Sequence, residues 1–119
     1  YSSKGRIHMK QNMSSQMLKG ILQGMMLIIL SRKPDYGYGI SKQMNDYGLE
    51  GIPKGTIYPL LAAMERRGLI MGKMQPSQEG PDRKYYYVTP AGEVEKQAFL
   101  LEWDILANVV NRMIEGERK

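Results

Sequence analysis

From Thr89 to the C-terminal end, one stretch limits what this chain can become. Thr89-Pro90 pairs a helix-capping hydroxyl with a proline at the first helical position, where its missing N–H costs nothing. The spacing predicts a helix from there to about Glu115. On a helical wheel centred on Phe99, the residues Phe99, Trp103, Leu106, Val110, Met113 and Ile114 lie within about 60° of a common direction. Val94, Ala98, Leu101, Ile105 and Val109 form a second apolar face near ~240°, and only Glu93, Gln97, Asp104, Asn108, Asn111 and Glu115 make a polar stripe. A chain of 119 residues makes one domain, and one small domain covers one such face. The other face is expected to meet a second copy of the chain, in a symmetric dimer.

The rest of the chain is punctuated. Ser14 and Ser15 are candidate caps for a helix over Gln16–Ser31, whose apolar residues cover far more than one face and call for burial on two sides. Lys33-Pro34-Asp35 ends it. A short helix from Tyr36 to about Tyr47 closes on Gly48, and a third runs from about Lys54 to Arg67 and closes on Gly68. Pro59 lies near enough to the start of the third helix to be tolerated. Leu69–Gln75 and Arg83–Val88 read as the strands of a hairpin, joined by a long loop through the turn-rich Pro76–Asp82.

Composition removes whole classes of function. There is no cysteine, and the single histidine, His8, falls in a segment that resembles the remnant of an expression tag, residues 1–8. Without that segment the chain has neither His nor Cys, so metal sites and histidine acid–base catalysis lose their usual residues and no cofactor is expected. An enzyme would have to work with Asp82, Glu79 and Glu93, none of which has a recognisable partner. The longest apolar run, Met25–Leu30, is far short of the roughly 20 residues that span a bilayer, so no membrane partner is expected. Net charge is +5, or +3 without Lys4 and Arg6, which suggests a polyanionic partner.

Helix, helix, helix, hairpin, helix is the order of a winged helix-turn-helix, whose third helix enters a DNA major groove. The predicted fold is mostly α with a β-hairpin: a winged helix-turn-helix over 9–89 and a long C-terminal dimerisation helix over 90–119. Four blocks carry a closer likeness: Tyr36-Gly-Tyr-Gly-Ile40; Gly55-Thr-Ile-Tyr-Pro-Leu60; Glu65-Arg-Arg-Gly-Leu-Ile70; and Gly80-Pro-Asp-Arg-Lys-Tyr-Tyr-Tyr-Val-Thr-Pro-Ala-Gly92. In this order and spacing they resemble the PadR family of bacterial transcriptional regulators, in its smaller subgroup with a single C-terminal helix. The sequence departs from the family pattern at Gly39, where an acidic residue is more usual, and at Pro53-Lys54, where Ser-Pro is more usual. The resemblance implies a cytoplasmic bacterial regulator that binds double-stranded DNA as a homodimer.

The residues have their own physical reading. Lys54, Gly55 and Thr56 open the third helix with free N–H groups, a positive dipole end and a hydroxyl, which suits a phosphate. Tyr58 is a candidate for a phosphate or base edge, or packs beneath the wing. Thr56 is otherwise a plain cap. Tyr38 and Lys42 would flank the groove. Arg83 and Lys84 must point to opposite faces of their strand, and at least one is expected to face phosphates. One or two of Tyr85, Tyr86 and Tyr87 are expected to be packing residues, and Arg66-Arg67 a solvated pair.

The dimer interface is expected to use Leu18 and Leu22 with Phe99, Trp103, Leu106, Val110, Met113 and Ile114. Near the two-fold axis Trp103 either belongs to a plain dimer core or, with Phe99, Leu106 and Met25, holds a planar aromatic effector, as the resemblance implies for some family members. The expected function is a repressor on a pseudo-palindromic operator. The alternative is a protein-interaction adaptor whose winged helix does not bind DNA.

Overall fold

The computed structural model describes residues 15–118; Ser14 and the tag-like segment 1–8 lie outside the described residues. Helix α1, Ser15–Arg32, is buried on two sides, as its apolar pattern requires. Leu22, Met26, Leu27 and Leu30 are essentially inaccessible and form one wall of the core. Ile21, Met25 and Ile28 are half-buried on another side.

Helices α2 (Gly37–Asp46) and α3 (Lys54–Arg66) contribute Ile40, Met44, Ile57, Leu61 and Met64 to the same core. Each ends on a glycine in the left-handed region, Gly48 at φ +108° and Gly68 at φ +76°. The residue after each glycine donates back into the last turn: Leu49 N–H to the Met44 carbonyl at 2.8 Å, Leu69 N–H to the Met64 carbonyl at 3.0 Å.

The hairpin pairs β1 (Ile70–Ser77) with β2 (Gly80–Val88), antiparallel, with Ile70 opposite Val88 and Gln75 opposite Arg83. The expected long loop through 76–82 is not there. The strands run on to a two-residue turn at Gln78-Glu79. Pro76 escapes the usual ban on proline because it sits in the register shift between Gln75 and Ser77, where the ladder asks it for no N–H. On its other edge β2 meets the α1–α2 linker, where Tyr86 N–H donates to the Asp35 carbonyl at 3.0 Å. The wing is thereby fastened to the start of α2.

Helix α4, Pro90–Arg118, begins where Thr89 and Pro90 predict and runs one turn past Glu115. Thr89 serves both sides of the junction: its Oγ1 accepts the Gly92 N–H at 3.0 Å and donates to the Gly68 carbonyl at 2.6 Å. The proximal part of α4 lies on α1. Phe99 covers Gly24 so closely that a side chain there would overlap the ring. Lys96 Nζ bonds Ser31 Oγ at 3.1 Å and pairs with Glu93 at 3.0 Å. Further along, apolar residues on both wheel faces are exposed, among them Leu101, Ile105, Leu106, Val110 and Met113.

One expected interface residue is corrected. Leu22 is wholly buried in its own chain's core and has no surface to offer a partner. No helix among the described residues is long and apolar enough to cross a membrane.

Candidate nucleic-acid interface

Pro53 occupies the cap position of α3 with φ −65° and ψ 149°, and no side chain caps this end. The amides of Thr56 and Ile57 both donate to the Pro53 carbonyl, at 2.9 and 3.2 Å. The N–H groups of Lys54 and Gly55 therefore have no backbone acceptor, at the positive end of a 13-residue helix. Nothing lies within 4 Å of a side chain built on Gly55, so another molecule's backbone has room to approach. Thr56 is not the cap its alternative reading supposed, since that place is taken by Pro53. Lys54 is exposed. Cation, bare amides and hydroxyl share one exposed helix end, as a phosphate site requires.

Around this end the tyrosines are arranged by glycines. The hydroxyl end of the Tyr58 ring lies against Gly37, the first residue of α2, where any side chain would displace it. Tyr58 is 44% exposed, so it packs on Gly37 and still reaches solvent. Tyr38 is more exposed and stands beside Tyr36, ring centres 6.1 Å apart. Lys42 is solvated and pairs only at 4.0 Å with Asp46.

The start of α2 compensates for the missing acid at Gly39. The Asp35 carboxylate fills the space that a side chain on Gly39 would take. It accepts the Tyr36 N–H at 2.9 Å and the Gln43 amide at 2.8 Å, placing a negative charge at the positive end of α2.

In the wing, alternation sends Arg83 and Lys84 to opposite faces, and both find intramolecular partners. Arg83 donates to the Tyr36 hydroxyl at 3.1 Å, with its guanidinium 4.6 Å from that ring's centre. Tyr85 packs on the same ring at 5.3 Å. Lys84 turns inward across the sheet to Glu65 of α3 at 3.0 Å, with its ammonium 5.6 Å from the Tyr86 ring centre. Tyr86 is the buried member of the triplet, and burial pushes its hydroxyl pKa up. The bond from Lys84 holds the Glu65 carboxyl below the usual carboxylate range, helped by the Gly72 N–H. The same bond raises the Lys84 ammonium. Arg66 and Arg67 are exposed as expected, although Arg67 also bonds Gln23 of α1 at 2.6 Å.

Sequence reasoning did not find Asp35, Tyr36, Glu65 or Gly72, because each acts through a partner that only the strand register or the α1–α2 linker brings near. Away from this face, Phe99 and Trp103 stack at 6.4 Å and 18°. They line an apolar cavity of about 230 Å³ with Ile21, Met25, Ile28 and Leu100. Leu106, expected with them, does not line it. Among the described residues no cluster of acidic or histidine side chains is placed to hold a metal ion.

Comparison with known proteins agrees with this geometry. Residues 26–98 match the transcriptional regulator PadR-like family. A PadR-like transcriptional regulator from Bacillus cereus is 39% identical, with 83% of this chain and 96% of that one covered and a TM-score of 0.76. A Streptococcus transcriptional regulator is 38% identical, over 87% of this chain and 98% of that one, with a TM-score of 0.73. A PadR family transcriptional regulator from Eggerthella lenta is 30% identical, over 87% and 89%, with a TM-score of 0.75. The match spans the core, the bare end of α3, the wing and the first part of α4, and the chain belongs to the PadR-like family as a DNA-binding transcriptional regulator, not an enzyme.

Proposed function

We propose that the chain is a homodimeric repressor, with a DNA-reading head over 9–89 and a dimerisation arm over 90–119. The observation that carries this reading is α4, where Leu101, Trp103, Ile105, Leu106, Val110, Met113 and Ile114 are all at least 40% exposed on a single chain. So long an apolar strip on one helix fits a second copy better than water. Two-fold pairing would present two α3 helices about one DNA turn, roughly 34 Å, apart, and so select a pseudo-palindromic operator. Repression follows from occluding a promoter, which sets the protein to work in the bacterial cytoplasm.

The deciding experiment is titration of the protein against DNA from upstream of its own gene and a scrambled duplex, across a range of salt. A sequence-specific repressor discriminates by about 10³-fold or more and binds as two chains per site. Replacing Lys54 and Arg83 together by alanine lowers affinity and makes the salt dependence shallower, by up to about two in slope. Failure to bind any duplex at low salt would overturn the reading in favour of the adaptor.

A second reading concerns release. The Phe99–Trp103 stack beside an apolar cavity favours a planar aromatic effector held there. Trp103 is the chain's one tryptophan, so its fluorescence reports directly. No quenching across a panel of planar compounds would dispose of the effector.

A further inference from the structure

Where the wing meets the recognition helix, one carboxylate gathers both strands. Glu65, in the last turn of α3, accepts the Gly72 N–H through Oε2 at 3.2 Å and the Lys84 ammonium through Oε1 at 3.0 Å. Gly72 belongs to β1 and Lys84 to β2, so a single side chain of α3 holds the hairpin by its backbone on one strand and by a charge on the other. Gly72 makes the grip possible. The lysine stem crosses its bare Cα, and a methyl there would overlap Lys84 Cε, with Cδ and Glu65 Oε2 each 3.2 Å away.

We propose that Glu65 and Lys84 form a latch that sets the angle of the wing against the recognition helix, which makes Lys84 a positioning residue for operator recognition and not a phosphate ligand. The charge of Glu65 favours this. A carboxylate near a polyanion repels it, so its presence beside the wing needs a structural purpose. Its place on α3 fits too: Glu65 is eleven residues from Lys54, about 16 Å along the axis, so the latch fixes one end of the helix and leaves the other free to read. Wing and helix contact DNA at separate places, and both fit at once only if their relative angle is held. Lys84 above the Tyr86 ring extends the grip to the buried tyrosine that ties β2 to Asp35.

The latch rests on the operator-reading function, and its test has one arm with DNA and one without. Three variants break the latch differently: Glu65→Ala removes the acceptor, Lys84→Gln the cation, and Gly72→Ala displaces the lysine stem with no change of charge. Gly72 has no positive φ, so alanine costs its backbone nothing. In the DNA-free arm, amide exchange in β1 and β2 is expected to quicken about three- to fivefold in all three variants, with α1 unaffected. In the DNA arm, the operator is selected by the wild-type protein from random duplexes. All three variants are expected to lose about three- to fivefold in operator discrimination, while Lys84→Gln keeps the wild-type salt slope. The proposal is overturned if Lys84→Gln lowers the slope by about 0.9 while Gly72→Ala discriminates normally, since Lys84 would then be neutralising a phosphate. Unchanged wing exchange in all three variants overturns it without reference to DNA. If the wild type selects no sequence at all, the operator reading falls, and the exchange arm still decides the latch.

Discussion

Gly92, the third residue of α4, is buried against the end of the α3–β1 connection. A methyl group there would meet the Leu69 carbonyl oxygen well inside the 3.0 Å that real Cβ contacts keep, and Val88 Cγ1 at 2.7 Å. The carbonyl cannot simply turn away, because it accepts the Thr89 N–H at 3.1 Å. Gly92→Ala must therefore tilt the start of α4 or break that bond. Overpacking of this kind costs about 1–3 kcal/mol, and replacing a helical glycine by alanine returns at most about 1 kcal/mol. The expected net loss is about 1–2 kcal/mol, a fall of roughly 4–10 °C in melting temperature for a domain of this size. Gly116→Ala, in the same helix with nothing within 4 Å, has only the propensity gain and should be neutral or slightly stabilising. The assay is thermal unfolding followed by circular dichroism, all variants at one protein concentration, because a chain that associates gains stability with concentration. A Gly92→Ala protein melting at or above the wild type would refute the reasoning, since propensity would then outweigh a contact that should not exist.

Thr89→Ala removes the cap of α4 and leaves both the Gly92 N–H and the Gly68 carbonyl without their partner, so denaturant titration should show a loss of about 1–2 kcal/mol; a loss indistinguishable from zero would mean the hydroxyl is replaceable by water. The latch should also show in pH dependence. Glu65 has a folded pKa below its usual 4.5, so its contribution is present above that value and is lost as pH falls through the folded one. Lys84 has a folded pKa above its usual 10.5, so its contribution is full below that value and is lost as pH rises through the folded one. The Gly72 amide resonance should titrate with Glu65, with a midpoint below 4.5; a midpoint at or above it would show that the pair does not persist in solution.

The parts of this fold legible in the sequence are those set by neighbours along the chain. Gly48, Gly68 and Thr89-Pro90 act on the turn they belong to, so helix ends are found to within a residue or a turn. The wing was legible as a hairpin but not as a tight one, because Pro76 and Pro81 count as strand breakers until the register shows that the bulge excuses them. Leu22 was misplaced for a related reason: α1 is apolar nearly all round, and periodicity does not tell which apolar side meets the chain's own core. At the exposed N-terminal end of α3, Lys54 and Gly55 were visible because a helix N-terminus announces itself locally. Glu65 and Lys84 are 19 residues apart, and only the pairing of β1 with β2 brings the lysine over Gly72.

The carboxylate of Asp35, lying where Gly39 has no side chain, means that these two positions share one chemical role between them. The space admits a single acid, delivered either from the linker or from the helix itself. Gly39→Glu alone would crowd two negative charges into it, whereas the exchange of both, Asp35→Gly with Gly39→Glu, would restore one charge at the same helix end. The linker acid has an additional tie, since its carbonyl accepts the Tyr86 N–H. In this chain, what satisfies the start of α2 and what holds the outer edge of the wing are therefore the same residue, and a change that relaxes one is felt in the other.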